Sequence, residues 1–150
     1  MKVIAISVIA LMILAPGGIG IPNAEAHDEK DLRHIAMESL SKNMKTLSRA
    51  LREAPPGDPE HALAFQIADV AARMLALFET PNAGHNNNRA RAEIWSDWTG
   101  FSAKVDEFQV VTAALSASLK STNPAAWSSA VQTVGQSCSS CHRLYRTSRR

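Results

Sequence analysis

Two cysteines and a histidine lie within five consecutive residues near the carboxyl end of the chain. The segment reads Cys138-Ser139-Ser140-Cys141-His142 and holds both cysteines of the 150-residue sequence. On a helix, residues three positions apart share one face and lie about one turn from each other. Two thiols placed in this way can each form a thioether with a vinyl group of haem, and the adjacent imidazole can coordinate the iron. The segment therefore predicts a covalent haem attachment site.

Three other interpretations use the same residues. A thioredoxin-like dithiol needs a βαβ context, which no part of the sequence indicates. A structural zinc site usually has four protein ligands, and only three are clustered here. A disulfide between Cys138 and Cys141 is compatible with an exported protein, but it leaves His142 without a role. Haem attachment gives both thiols and the imidazole a role and needs no fourth ligand from the motif, so it is the preferred interpretation.

The first 26 residues have the composition of a signal peptide. Lys2 precedes the apolar run Val3 to Leu14, and the segment Ala24-Glu25-Ala26 has the small-x-small pattern of a cleavage site. The apolar run is too short for a transmembrane helix, which needs about 20 residues. We therefore predict a signal peptide over residues 1–26 and a mature domain over residues 27–150. The mature domain is expected to lack a membrane span and to reside in the periplasm.

The mature chain contains four amphipathic helical patterns. They cover about Glu29 to Glu53, Asp58 to Thr80, Ala90 to Leu119 and Ala125 to Thr147. Pro55-Pro56-Gly57, a polar loop at 82–88 and Thr122-Asn123-Pro124 separate them, because proline and asparagine interrupt helices. Asp58 and Asn123 are the expected N-caps of the second and fourth helices. Four such helices with short connections predict an all-α, antiparallel, up-down-up-down four-helix bundle.

The apolar positions place the predicted haem site inside this bundle. Trp127, Val131 and Val134 continue the face of the last helix that carries the two cysteines. Met37 and Met44 lie on the inner face of the first helix. A methionine on such a face is usually core packing, and the residues alone leave both its packing and its ligand role open.

Three stretches of the sequence resemble the class II c-type cytochromes, which include cytochrome c′ and its methionine-ligated relatives. The first is the ending Val134-Gly135-Gln136-Ser137-Cys138-Ser139-Ser140-Cys141-His142-Arg143-Leu144-Tyr145-Arg146. The second is Glu93-Ile94-Trp95-Ser96-Asp97 followed by Phe101. The third is Arg33-x-x-x-Met37 with Lys42-Asn43-Met44 downstream. The resemblance implies one haem c, bound through Cys138 and Cys141, with His142 as the proximal iron ligand.

The same resemblance implies roles for two residues of the first helix. Met37 falls at the position of the distal iron ligand in the methionine-ligated branch, where a soft thioether raises the reduction potential. Cytochrome c′ proper has an apolar residue there and an open, five-coordinate iron. Arg33 falls at the position of an arginine that pairs with a haem propionate. The stretch Ser39-Leu40-Ser41 departs from the glycine that the family often has in this helix.

These features predict a periplasmic electron-transfer protein with His/Met ligation that is not an enzyme. The alternative is a five-coordinate protein that binds nitric oxide or carbon monoxide. Arg143, Arg146, Arg149 and Arg150 form a basic end, which is either solubilising or a docking patch for an acidic redox partner. Nucleic acid is not an expected partner, because the formal net charge is only +2 and the chain is exported. The pattern is compatible with a monomer or a homodimer.

Overall fold

The computed structural model describes residues 25–81 and 89–148, with side chains from residue 32 onward. The helices in these ranges are α1 Glu25–Glu53, α2 Asp58–Ala72, a short 3-10 helix Ala76–Phe78, α3 Glu93–Ser96, α4 Trp98–Ser118 and α5 Pro124–Tyr145. The described residues contain no strand, and their one β-bridge joins Ala90 to Arg146. The predicted all-α class is confirmed.

Two predictions fall wholly or mostly outside the described residues. The signal peptide over residues 1–26 overlaps them only at the start of α1, and the polar loop at 82–88 does not overlap them at all. The domain boundary after Ala26 therefore stays a prediction. Within the described ranges, no helix combines the length and the apolar character needed to cross a membrane.

α1 is amphipathic along the face that the sequence predicts. Leu40 and Leu47 are buried, and Met37 and Met44 are partly buried and pack against the same core. The helix ends at Glu53, where Pro55 and Pro56 cannot continue it. Each fully buried leucine contributes about 1.5–3 kcal/mol relative to an exposed one, so this stripe is what fixes α1 on the bundle.

The second predicted helix differs from the structure at both ends. The N-cap of α2 is Gly57, one residue before the predicted Asp58, and the side chain of Glu60 accepts a hydrogen bond from the Gly57 amide at 2.9 Å. The α-helix stops at Ala72 instead of near Thr80. A turn and the 3-10 helix Ala76–Phe78 replace its last part and bury Phe78 in the core.

The third predicted helix, Ala90 to Leu119, is wrong as a single element. It is divided at Asp97, whose backbone leaves the helical region (φ −125°, ψ 55°) and whose carboxylate caps α4 by accepting from the Gly100 amide at 3.1 Å. A Cβ at Gly100 would clash with that carboxylate. The pair Asp97 and Gly100 thus starts a new helix where the apolar pattern alone indicates continuity.

The four long helices form the predicted antiparallel bundle. α1 packs against α2 and α5, and α4 packs against the same two helices. The core comes from all four helices and includes Leu47, Ile67, Leu115 and Val134, all of them essentially inaccessible to solvent. Asn123 caps α5 as predicted, since its side chain accepts from the Ala125 amide at 3.0 Å, and α5 ends at Tyr145.

A short backbone pairing closes the end of the bundle where α5 terminates. The Arg91 amide donates to the Tyr145 carbonyl at 3.0 Å, and the Thr147 amide donates to the Arg89 carbonyl at 2.9 Å. The Tyr145 hydroxyl donates to the Asp97 carboxylate at 2.9 Å. The last turn of α5 is therefore tied to the segment that leads into α3 and to the cap of α4.

We expect Asp97→Ala to lower the free energy of unfolding by about 1–3 kcal/mol. It removes the α4 cap and leaves the buried Tyr145 hydroxyl without its acceptor. Tyr145→Phe should cost less, about 0.5–1.5 kcal/mol, because the cap survives. Denaturant unfolding followed by circular dichroism measures both. Asp106→Ala, at an exposed position of α4, is the control, and equal losses in all three variants would contradict the assignment.

Stability should also depend on pH through Tyr145. Burial, and then the Asp97 carboxylate, raises the pKa of Tyr145 from 10.0 to about 12. The unfolded chain releases this proton near the ordinary pKa and the folded chain only near 12, so the contribution is fully present below pH 10 and is lost as pH rises toward 12. The stability difference between wild type and Tyr145→Phe should shrink over that interval. A difference that stays constant between pH 9 and 12 would contradict this linkage.

Candidate functional site

The two cysteines lie on the inner side of α5. Trp127, Val134 and Tyr145 are the buried residues of this helix, and Cys138 and Cys141 lie between them at helical spacing. Both thiols are free, partly buried and packed against the core. The sequence pattern that predicts one shared face is confirmed, and the face points into the bundle.

The surroundings keep both thiols protonated at neutral pH. Burial raises the pKa of the Cys138 thiol. Burial, and then the neighbouring Cys138, raises the pKa of Cys141 to about 11, although Lys104 acts in the opposite direction. A redox-active or metal-binding cysteine instead has a lowered pKa, because the thiolate is its reactive form. The local electrostatics therefore argue against the activated thiolate that a thioredoxin-like dithiol needs.

His142 presents a neutral imidazole next to these thiols. Its side chain is partly buried. Burial lowers its pKa first, and the positive charges of Arg146 and Arg89 lower it further. An imidazole must be unprotonated to coordinate iron, so these effects favour the form that binds a metal. In the described part of the chain, no group of three or more His, Cys, Asp or Glu side chains is arranged to hold a metal ion by itself.

An aromatic cluster lies below the cysteines at the end of α5. The Tyr145 ring contacts Phe101 edge to face at 5.4 Å between centroids, and Phe101 contacts Phe78 at 5.2 Å. The Trp95 indole donates to the Phe78 carbonyl at 2.8 Å. Trp95 is partly buried and packs against the core here. The members of the cluster come from α3, α4, α5 and the 3-10 helix. The cluster therefore fixes the position of the cysteines and His142 along the axis of the bundle.

Arg33 reaches this cluster from α1. Its guanidinium is buried, lies 5.2 Å from the Phe78 ring centroid, and donates to the carbonyls of Leu77 and, at 2.6 Å, Thr80. The resemblance implies a haem propionate as its partner. The contacts described here are backbone carbonyls and ring faces, which tie α1 to the segment after α2. The propionate contact stays a prediction.

Met37 lies at the same end of the bundle as the cysteines. Met37 follows Arg33 by one helical turn, and Cys141 precedes Tyr145 by about one turn. Arg33 and Tyr145 both contact rings of the aromatic cluster, so they lie at the same end of the bundle. α1 and α5 are antiparallel. One turn toward the C-terminus of α1 therefore reaches the same level of the bundle as one turn toward the N-terminus of α5. Met37 is partly buried against the core. Met44 is partly buried too, but two turns farther along α1.

The side of α1 that carries His34 is exposed to solvent. The His34 side chain is 81% exposed and lies 3.8 Å from the Glu38 carboxylate. It therefore points to solvent, away from the inner face that carries Met37.

Several residues of the site were not singled out from the sequence. Asp97 sets the start of α4 and is the acceptor for Tyr145, and an aspartate is one of the residue types that favour an N-cap. Arg89 and Arg91 are brought beside His142 by the backbone pairing with residues 145–147. No local pattern predicts that contact, because the paired segments are far apart in sequence.

The donor set fits a covalently attached haem. Two neutral thiols face the core from one side of α5, and a neutral imidazole follows directly. The disulfide interpretation gains no support, since both thiols are free. Cys138, Cys141 and His142 are the residues that would hold the group.

Comparison with known proteins gives one consistent family. The family model for cytochrome c′ matches residues 28–146. Cytochrome c′ of Rhodospirillum rubrum is 26% identical over 119 residues, covering 77% of this chain and 80% of the relative.

Two solved structures show the same likeness. A nitric oxide complex of a leucine-to-alanine mutant of cytochrome c′ from Alcaligenes xylosoxidans has 26% identity and a TM-score of 0.73, with 84% of this chain and 98% of that chain covered. A second structure, described as a cytochrome c′ with ligand-controlled dimer dissociation, superposes with a TM-score of 0.75 at 22% identity over 83% of this chain and 98% of that chain. It supports the fold. The chain belongs to the cytochrome c′ family, whose members carry covalently bound haem c.

Proposed function

We propose that the protein holds one haem c through thioethers to Cys138 and Cys141, with His142 as an axial ligand of the iron, and that it carries out one-electron or gas-binding chemistry in the periplasm. The observation that carries this proposal is the placement of both free thiols on the core side of α5, directly before a neutral imidazole. The family consists of electron-transfer and gas-binding haem proteins and not of typical enzymes.

The chain's own residues supply attachment, ligation and shielding. A bound haem supplies reversible one-electron redox chemistry and an iron that binds axial ligands. The core packs against Cys138 and Cys141, and burial, followed by the nearby arginines, lowers the pKa of His142. Tyr145 fixes the end of the helix that presents all three residues.

The comparisons favour gas binding at the second axial position. The relatives are cytochromes c′, and one of the solved structures that the fold matches is a nitric oxide complex. The relatives therefore support nitric oxide or carbon monoxide as the second axial ligand better than they support a methionine.

One residue favours the second candidate, electron transfer with a closed iron. Met37 is partly buried on the inner face of α1, at the end of the bundle that also holds Cys141 and His142. A methionine thioether in this place can be the second axial ligand, which stabilises the reduced state and excludes gases. Arg33, one turn away, would then be placed near a haem propionate.

Location and assembly follow from the relatives. Their periplasmic location supports the same location for this chain, together with the signal peptide predicted over residues 1–26. One structural neighbour is described as a dimer that dissociates under ligand control. We infer either a monomer or a homodimer here.

Replacing Cys138 and Cys141 by alanine together should abolish covalent haem. Peroxidase-type haem staining after denaturing electrophoresis measures this directly, because only thioether-bound haem survives denaturation. The matched control is the double variant Ser139→Ala and Ser140→Ala, which changes the two residues between the cysteines and should keep the stain. A colourless wild-type protein from a host that matures c-type cytochromes would refute the proposed function.

The variant Met37→Leu separates the two candidates, because the exchange nearly conserves volume. With an open iron, the wild type has a high-spin spectrum, binds carbon monoxide at once in the ferrous state, and Met37→Leu changes neither property. With a Met37 ligand, the wild type is low-spin with a methionine–iron charge-transfer band, and Met37→Leu loses that band and gains rapid carbon monoxide binding. Met44→Leu is the control and should match the wild type in either case.

A further inference from the structure

Lys104 is a mostly covered cation on the side of α4 that faces α5. Its side chain is 28% exposed. Gln109, about 140° around the helix from Lys104, donates to the Ala71 carbonyl at 3.2 Å and so marks the flank of α4 that faces α2. Lys104 therefore lies on the other flank, where α4 packs against α5.

The alignment of α4 with α5 brings Lys104 level with Cys141. The ring of Phe101 in α4 contacts the ring of Tyr145 in α5 at 5.4 Å between centroids. Lys104 follows Phe101 by about one turn, and Cys141 precedes Tyr145 by about one turn. Because the two helices are antiparallel, Lys104 and Cys141 reach the same level of the bundle. The electrostatics agree, since burial and Cys138 raise the pKa of the Cys141 thiol and Lys104 opposes them.

Glu107 pairs with Lys104 from a more exposed position. Its carboxylate oxygens accept from the Lys104 ammonium at 2.7 and 3.0 Å, and its side chain is 55% exposed. At Cys141 the two charges act in opposite directions, and the effect of Lys104 is the larger. The pair thus presents its positive end to the thiol and its negative end to solvent.

An ion pair that only supports a helix does not need a covered cation. Exposed pairs three residues apart keep both side chains in water and stabilise a helix weakly. Lys104 instead gives up most of its contact with solvent beside the residue that would attach the haem. A covered charge is screened less by salt than an exposed one, so the field of Lys104 reaches groups on the neighbouring helix.

We propose that the Lys104–Glu107 pair sets the reduction potential of the haem attached at Cys141, with Lys104 as the residue that favours the reduced state. This rests on the proposed function, because it requires a haem at this position. Reduction adds one electron from an external donor and removes one unit of positive charge from the centre, with no bond formed or broken. A nearby cation is repelled less by the reduced centre and stabilises it, whereas a nearby anion stabilises the oxidised centre.

Equilibrium redox titration of the holoprotein with small mediators, followed by its visible spectrum, tests the proposal. At a fixed potential, Lys104→Gln should move the ratio of reduced to oxidised protein about three- to tenfold toward the oxidised form, where tenfold corresponds to about 59 mV. Glu107→Gln should move the ratio toward the reduced form by about two- to threefold, a smaller effect because its charge is more exposed and better screened.

Two controls separate the position of the charge from its amount. Lys120→Gln removes the same charge from an exposed lysine just beyond α4, about 24 Å from Lys104 along the helix axis. That distance exceeds the Debye length of roughly 10 Å at 0.1 M salt, so the ratio should change less than about 1.5-fold. The double variant Lys104→Glu with Glu107→Lys keeps the net charge and reverses the pair, and it should favour the oxidised form as Lys104→Gln does.

Four results would overturn the proposal. Equal effects of Lys104→Gln and Lys120→Gln would mean that only net charge matters. A reversed pair with the wild-type potential would mean that the direction of the pair has no influence. Shifts of the same sign for Lys104→Gln and Glu107→Gln would mean that loss of the pair acts, and not the sign of each charge. A changed visible spectrum of Lys104→Gln would assign Lys104 to the packing or ligation of the haem instead.

The proposed function and this inference fail differently. Protein without a haem stain and without a redox-active visible spectrum refutes both. Protein with an intact haem, whose potential is the same in the wild type and in Lys104→Gln, refutes the role of Lys104 only.

Discussion

The attachment of the last turn of α5 is the interaction on which the site depends. Tyr145 holds this turn in three ways: its hydroxyl donates to Asp97, its ring contacts Phe101, and its carbonyl accepts from the Arg91 amide. A helix held at its end cannot slide or rotate relative to its neighbours. The cysteines, one and two turns earlier, are therefore held facing the core, and His142 follows them directly.

Burial acts on all three side chains of the motif in α5. It raises the pKa of both thiols. At His142 burial is the first cause of the lowered pKa, and the positive charges of Arg146 and Arg89 add to it. The shift at His142 favours the neutral imidazole that metal ligation requires.

The sequence predicted what depends on local chemistry and missed what depends on distant contacts. The apolar stripe of α1 and the Asn123 cap of α5 follow from spacing and side-chain type, and both are confirmed. The division at Asp97 was missed because the apolar positions continue through it while one carboxylate caps the next helix. Arg89 and Arg91 entered the site only through backbone pairing with residues 145–147. The neutral forms of the thiols and the imidazole also depend on burial, which spacing alone does not give.

The pairing between residues 89–91 and 145–147 also sets the order in which contacts can form. A chain is synthesised from its amino end, so α1, α2 and α4 are made before the last turn of α5. The contacts that close this end of the bundle need Tyr145 and Thr147, which come after the cysteines. The closure of this end can therefore follow, but not precede, the synthesis of the whole helix that carries both thiols.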